Sequence, residues 1–169
     1  MHRRDALTAL AMAAFGGAGA VDAIAQQRGR GNIDSALLTP VTSTPPGVRE
    51  QFAGFWKLVT YSSHGDHPSG RVYYDVKGNM TGQLLPVRKA LPQNPAIEDF
   101  QQLNRGLVSY YGTYDVDPAT RRVVHHLEGA SNPAWVGTDF FRWYELDGNR
   151  LTLRTSPNSA APLIWERIA

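Results

Sequence analysis

The chain contains no cysteine among its 169 residues. Disulfide bonds are therefore excluded, and burial of a core must supply the stability even in an oxidising compartment. The net charge is also small, because 17 basic and 15 acidic residues leave a formal net charge of only +2. Since the arginines are dispersed and no Lys/Arg cluster interleaves with aromatic residues, nucleic acid is not an expected partner.

Several catalytic motifs are absent as well. No Ser, Thr or Lys stands in a recognisable nucleophile motif, and the sequence has neither a Gly-rich phosphate loop nor paired carboxylates of the glycosidase type. His64, Asp66 and His67 could begin a metal site, but no Cys or second His pair stands at ligand spacing. A solvated loop is the favoured interpretation, and neither a metal nor a cofactor is predicted.

Only one long apolar run is present, at residues 6–21, after a basic start at residues 1–4. Ala23 and Ala25 then place small residues at the two positions that a signal peptidase reads, which predicts a signal peptide over residues 1–25. The run is too short and too rich in Ala and Gly for a stable membrane span, and no second run follows. A periplasmic or secreted protein with no membrane span after processing is expected.

Arg3 and Arg4 resemble the paired arginines of a twin-arginine export signal, which carries folded proteins across the bacterial inner membrane. Asp5 and Ala6 depart from that pattern, because the signal prefers a bulky apolar residue one step further on. Secretion of the unfolded chain stays open as the alternative route, and both routes end in the periplasm or outside the cell.

The composition changes twice after the signal. Residues 26–51 are rich in Gly and Pro, which predicts a flexible linker, whereas residues 52–169 contain short aromatic and β-branched runs typical of strands. The helical spacing of Ile97, Phe100 and Leu103 predicts one short helix. The eight predicted strands cover residues 55–63, 70–76, 80–86, 107–116, 122–128, 137–146, 150–155 and 162–168.

Three tight turns alternate strictly with four longer connections between these strands. In an up-and-down meander, alternate connections lie at opposite ends, so the tight turns close one end and the long loops surround the other. We predict an all-β fold, an eight-stranded antiparallel up-and-down barrel with a lid helix between strands 3 and 4 and a cavity at its mouth. A β-sandwich with incidental loop lengths is the alternative. The tight turns cover residues 77–79, 117–120 and 147–149.

The β region resembles a known family. Gly54-Phe55-Trp56 is similar to the Gly-x-Trp of lipocalins, and the likeness continues along the chain. The other segments are Tyr110-Tyr111-Gly112-Thr113-Tyr114, His125-His126, Pro133-Ala134-Trp135-Val136-Gly137, Arg142, Leu151-Thr152-Leu153 and Trp165-Glu166-Arg167. Together they resemble the bacterial and fungal lipocalin-like domain family, which implies a single calycin-type barrel. The resemblance implies little about function, because that fold hosts both carriers and enzymes.

Trp56 begins the first strand and Arg167 ends the last, so the two should meet across the barrel seam at the closed base. A guanidinium over an indole ring forms a cation–π contact worth about 0.5–2 kcal/mol. Similar pairs close the base in lipocalins, and the resemblance therefore implies a structural role for Trp56 and Arg167.

His125 is the first candidate site residue. Neighbours on a strand point to opposite faces, and Val123, His125 and Leu127 form the more apolar row, which places His125 inside. An interior histidine can act as a general acid or base near neutral pH, or bind a ligand through a hydrogen bond. A core histidine satisfied by tyrosine or backbone is the equally weighted alternative.

Arg142 is the second candidate. It shares a face with Phe140 and Tyr144, and the family pattern keeps an arginine here, which indicates an inward position. A buried guanidinium requires a carboxylate, phosphate or carbonyl partner, and no interior acid is expected opposite it. The partner is therefore expected to be ligand oxygen. The alternative is an outward Arg142 with Phe141 and Trp143 inside.

These residues predict an exported, non-enzymatic protein that holds an oxygenated, partly apolar small molecule. An isomerase- or cyclase-type enzyme is the alternative, with His125 moving a proton and Arg142 stabilising an oxyanion, and a structural or envelope-interaction domain is a third. Phe100 and Leu103 are expected to contact the ligand or cap the core. The expected ligand-binding residues are Tyr110, Tyr114, His125, Trp135, Phe140, Arg142, Tyr144 and Trp165.

Overall fold

Eight antiparallel strands close into one barrel in sequence order. The computed structural model describes residues 43–61, 68–85 and 90–169. The predicted eight-stranded antiparallel barrel is confirmed, and the alternative of a β-sandwich is wrong. The elements are α1 (Val48–Phe52), β1 (Gly54–Thr60), β2 (Ser69–Tyr74), β3 (Asn79–Leu85), α2 (Ile97–Asn104), β4 (Val108–Asp117), β5 (Arg122–Ala130), β6 (Asp139–Asp147), β7 (Arg150–Arg154) and β8 (Leu163–Arg167).

Alternating side chains explain why these segments form a closed sheet with one buried face. In β2, Val72 and Tyr74 are buried inside the barrel, whereas Arg71 is exposed. β3 repeats the pattern with Met80 and Leu84 buried. Because successive side chains of a strand point to opposite faces, every second residue joins a common core.

The three short turns lie at one end of the barrel. Between β2 and β3, the Asp75 carboxylate accepts hydrogen bonds from the backbone N–H groups of Lys77 and Asn79, both at 2.8 Å. Gly78 has a φ of 94° in this turn, a backbone conformation that glycine adopts without steric cost. The opposite end, at which β1, β3, β5 and β7 end, is the mouth of the barrel.

Helix α1 covers the closed base. Phe52 is 1% exposed, and its ring centroid lies 4.9 Å from that of Tyr144 and 5.7 Å from that of Tyr74. Both contacts are edge-to-face, an arrangement that aromatic pairs favour. Phe52 therefore fills the bottom of the barrel interior.

The segment before Phe52 is attached to the outside of the barrel. The Thr44 hydroxyl donates to the Asp115 carboxylate at 2.9 Å, and Arg49 forms an ion pair with the same carboxylate at 2.8 Å. Thr44, Arg49 and most of α1 fall within the linker predicted over residues 26–51. Residues 1–42 lie outside the described part of the chain.

The seam between β1 and β8 is closed at the base by Arg167. Its guanidinium carbon lies 4.1 Å from the centroid of the Trp56 ring, and the two residues are paired across the strands. The same guanidinium donates to the backbone carbonyls of Gln51 and Ala53. The Trp56 indole N–H donates to the Phe52 carbonyl at 2.8 Å. These bonds connect the seam to α1.

Helix α2 lies between β3 and β4, where one helix is predicted. The Asp99 carboxylate accepts a hydrogen bond from the Ala96 backbone N–H at 2.8 Å, which caps the first turn. Ile97 is 69% exposed and Phe100 48% exposed. The prediction that Phe100 contacts the ligand or caps the core therefore stays a prediction for a half-exposed side chain, and the side chain of Leu103 is outside the described part.

β6 begins at Asp139, two residues later than predicted. Pro133–Trp135 forms a 3-10 turn, in which the Asn132 side chain accepts a hydrogen bond from the Ala134 backbone N–H at 3.0 Å. Gly137 follows with a φ of 74°, and this backbone conformation ends the turn two residues before β6 begins. The turn brings Trp135 into the upper part of the barrel, where it is buried.

Candidate functional site

A buried histidine lies between two tyrosines in the middle of the barrel. His125 of β5 is 1% exposed. Its Nε2 atom lies 2.8 Å from the hydroxyl oxygen of Tyr74, and its Nδ1 atom lies 3.2 Å from that of Tyr110. Both ring nitrogens are therefore occupied by side chains of β2 and β4.

The surroundings of His125 keep its imidazole neutral. Burial holds the pKa of His125 well below its ordinary value, and the nearby Arg142 guanidinium lowers that pKa further. Burial also raises the pKa of Tyr74 and of Tyr110, and Arg142 opposes the rise at both. All three groups are therefore uncharged at neutral pH.

Arg142 of β6 is the buried cation of this region. It is 4% exposed, and its guanidinium carbon lies 5.0 Å from the centroid of the Phe140 ring. One terminal nitrogen donates to the Phe141 carbonyl at 2.7 Å, and the guanidinium lines the same cavity as Tyr110. Within the described residues, no ion pair includes Arg142. Its positive charge is therefore not matched by a carboxylate there.

A small cavity lies beside these groups, below the mouth. Its volume is about 20 Å³, which is room for about one water molecule. Trp165 also faces the cavity, and its buried indole nitrogen has no hydrogen-bond acceptor in the part of the chain that is described. The lining residues are Val72, Gly82, Gln83, Leu84, Tyr110, His125, Arg142, Leu153, Leu163 and Trp165.

The structure brings only part of the predicted pocket together. Tyr110, His125, Arg142 and Trp165 line the cavity. Phe140 packs behind them: its ring centroid is 5.5 Å from that of Tyr110 and 5.5 Å from that of Trp135. Phe140 and Trp135 therefore support the wall.

Tyr114 and Tyr144, which are also predicted to bind the ligand, do not line this cavity. The Tyr114 hydroxyl donates to the Asp75 carbonyl at 2.7 Å, in the turn at the closed base. Tyr144 packs on Phe52 at the same end. Both side chains point inward, as the alternation along their strands requires, but they lie closer to the base of the barrel than the cavity does.

Tyr74 is the site residue that the sequence analysis missed. It is 0% exposed and holds Nε2 of His125. Its alternation with Val72 in β2 marks it as inward-facing. Its contact with His125 depends on the register of strands that are not neighbours in the barrel, which a single sequence does not reveal.

Comparison with known proteins agrees with this architecture. Residues 53–168 match the family model described as a lipocalin-like domain. The chain belongs to this family. A lipocalin-like protein from Bacteroides uniformis ATCC 8492 has a solved structure similar over 70% of this chain and 99% of that one, with 16% identity and a TM-score of 0.42. No curated protein matches the lipocalin-like chain.

Two further features concern the described residues alone. None of their helices has the length and apolar character needed to cross a membrane. They also contain no group of three or more His, Asp or Glu side chains arranged to hold a metal ion. His64, Asp66 and His67 lie outside the described residues.

Proposed function

We propose that this lipocalin-like barrel binds a small, oxygenated and partly apolar molecule below its mouth. The observation that carries the proposal is the Arg142 guanidinium, which is buried beside a cavity and has no carboxylate partner within the described residues. A buried charge costs stability unless it is paired. An oxygen atom of a ligand in the cavity would supply the acceptor.

The remaining wall explains why the ligand should be partly apolar. Val72, Leu84, Leu153 and Leu163 line the cavity together with the polar groups. Binding sites for small molecules commonly combine an apolar wall with a few polar groups that orient the ligand. The cavity of this barrel has that division.

The size of the cavity sets a condition on binding. A volume of about 20 Å³ accommodates about one water molecule, so a ligand of several heavy atoms requires side chains near the mouth to change rotamer. Such side-chain changes are common when proteins bind partners. Leu84 and Leu163, which stand near the mouth ends of β3 and β8, are the residues expected to move.

The geometry favours binding over the isomerase or cyclase alternative. An acid–base role requires a nitrogen of His125 to reach the ligand, yet Tyr74 and Tyr110 occupy both nitrogens. The lowered pKa of His125 also keeps it neutral at pH 7, so it has no proton to give as a cation. His125 would have to break a hydrogen bond before it could catalyse proton transfer.

We also propose that the chain is exported. The basic start at residues 1–4, the apolar run at residues 6–21 and the small residues Ala23 and Ala25 support this proposal. Export would place the binding barrel in the periplasm or outside the cell.

Native mass spectrometry of the protein isolated from its own cells tests the binding function. We expect wild-type protein to carry a non-covalent ligand and the Arg142→Met variant to carry much less of it. Arg154→Met is a suitable control, because Arg154 is paired with Glu145 on the surface. Wild-type protein that carries no ligand, and that gains none on exposure to an extract of the same cells, would refute the proposal.

A further inference from the structure

Three polar side chains form a hydrogen-bonded series that ends at the cavity. Tyr74 contacts Nε2 of His125, and Nδ1 of His125 contacts Tyr110. Arg142 lines the same cavity as Tyr110.

The direction of these hydrogen bonds depends on which ring nitrogen of His125 carries its hydrogen atom. A neutral imidazole has one donor and one acceptor nitrogen. If Nε2 were the donor, the Tyr74 hydroxyl would accept, and its own hydrogen would have no acceptor among the described residues although Tyr74 is 0% exposed. If Nδ1 is the donor, the Tyr74 hydroxyl donates its hydrogen to Nε2, and Tyr74 has no unsatisfied donor. An unsatisfied buried donor is costly, so the Nδ1–H form is favoured.

This tautomer determines what Tyr110 offers to the cavity. With hydrogen on Nδ1, His125 donates to the Tyr110 oxygen. The hydroxyl hydrogen of Tyr110 is then free to donate elsewhere, and Tyr110 lines the cavity. Tyr74 and His125 are therefore positioning residues that turn the Tyr110 hydroxyl into a donor toward a ligand.

Two more donors lie at the same cavity. The indole N–H of Trp165 is buried without an acceptor among the described residues, and Arg142 carries guanidinium hydrogens beyond the one given to Phe141. In contrast, the nitrogens of His125 are already engaged and offer the cavity no acceptor. Gln83 also lines the cavity, but it belongs to the exposed face of β3. The inward-facing polar side chains of the cavity thus offer hydrogen-bond donors and a positive charge.

We propose that Tyr110, Arg142 and Trp165 form a donor cradle for the carboxylate group of the ligand. This inference rests on the proposed binding function and specifies the ligand class. A carboxylate is acceptor-only, neutralises the Arg142 charge and makes stronger, charge-assisted hydrogen bonds than a neutral carbonyl. The apolar tail then lies against Leu84, Leu153 and Leu163, toward the mouth.

The first test measures the tautomer of His125 in the full chain without added ligand. Two-dimensional NMR of protein labelled with ¹⁵N-histidine identifies the protonated ring nitrogen, and the spectrum of His125→Gln assigns the resonance. We expect hydrogen on Nδ1. Hydrogen on Nε2 overturns the cradle whatever the protein binds.

The second test compares matched acids and amides by isothermal titration at pH 7. The probes are acetate, hexanoate and benzoate with acetamide, hexanamide and benzamide. We expect at least one acid to bind about 10-fold or more tightly than its amide, because only the acid carries a negative charge that can pair with the Arg142 guanidinium. An amide that binds as tightly as its acid overturns the carboxylate inference but leaves the binding function standing.

Two tyrosine variants locate the effect. Tyr110→Phe should weaken binding of the best acid about 5- to 10-fold, which corresponds to the loss of one hydrogen bond. Tyr114→Phe is the matched control, since Tyr114 lies on the same strand but bonds Asp75 at the base, and it should bind normally. Equal weakening in both variants contradicts the cradle, and absence of binding by every probe contradicts the proposed function as well.

Discussion

The hydroxyl oxygen of Tyr74 lies 2.8 Å from Nε2 of His125, and the two side chains are 0% and 1% exposed. Phe52 packs against Tyr74 from below and separates the pair from solvent at the base. A charged imidazolium is therefore disfavoured at this position, which links the protonation of His125 to the stability of the whole barrel.

The pH dependence of stability follows from that link. The pKa of His125 is lowered in the folded state, mainly by burial, so the unfolded chain takes up a proton that the folded chain does not. The stabilisation is complete above about pH 6.5, the ordinary histidine value, and is lost as pH falls below it. We expect the free energy of unfolding in urea to be lower at pH 5.5 than at pH 7.5 on account of His125, by roughly 1 kcal/mol.

Two glutamine variants separate this contribution from other titrating groups. His125→Gln should reduce the difference between pH 5.5 and pH 7.5 by about that amount. His126→Gln is the matched control for loss of an imidazole from the same strand, because His126 is partly exposed on the outer face, where it contacts Asp115 and Asp139. An unchanged pH dependence in His125→Gln would show that His125 takes up its proton in the folded protein.

Arg167→Met should destabilise the base of the barrel. The substitution removes the contact with the Trp56 ring and the hydrogen bonds to Gln51 and Ala53. We expect the free energy of unfolding to fall by about 2 kcal/mol in urea denaturation. Arg154→Met, which breaks a surface ion pair with Glu145, should cost about 0.5 kcal/mol or less. Similar losses in both variants would mean that Arg167 does not close the seam.

Most of the fold could be predicted because it depends on local patterns. The alternation in β2 and β3 and the turn residues between them specify strands, and the alternation of short and long connections specifies the meander. Helix α1 was missed because it has only five residues and follows a Pro-rich segment. Its stability comes from Phe52, whose burial site exists only once the barrel has closed.

The candidate site could be predicted only in part. The alternation of side chains along a strand predicts whether a residue faces the barrel interior, but not how far along the barrel axis it lies. This alternation places His125 and Arg142 inside, where the structure has them. It also places Tyr114 and Tyr144 inside, although they lie at the base rather than at the cavity. Predicting the contact between Tyr74 and His125 would require the shear of the closed sheet, because the shear sets the relative heights of strands that are not adjacent.

Export makes a prediction about the N terminus. If residues 1–25 are a signal peptide, the mature protein should begin near Gln26, since Ala23 and Ala25 fit the cleavage site. N-terminal sequencing of the protein recovered from the periplasm or medium tests this. Recovery of exported protein that still begins at Met1 would contradict processing.

The export route makes a separate prediction. Replacing Arg3 and Arg4 with two lysines keeps the positive charge but removes the paired arginines that the twin-arginine route reads. We expect export to fall strongly, as measured by the ratio of mature to precursor protein in cell fractions. Undiminished export of the Lys-Lys variant would indicate secretion of the unfolded chain instead.

Arg142→Met separates stability from binding. Met preserves length and apolar bulk but removes a buried charge that has no carboxylate partner within the described residues. Removing such a charge is often neutral or stabilising. We expect thermal melts of the protein without added ligand to show a Tm equal to or above that of wild type.

The same variant should lose affinity for the best carboxylate probe by about 100-fold, or about 3 kcal/mol, because the charge-assisted bonds are gone. Thermal melts with the probe measure this as a missing Tm increase. Arg167→Met provides the opposite result, with a lower Tm and a normal ligand-induced increase, since Arg167 lies at the base. If Arg142→Met unfolds the protein instead, its hydrogen bond to the Phe141 carbonyl and its packing on Phe140 hold the barrel together, and its role is structural rather than in binding.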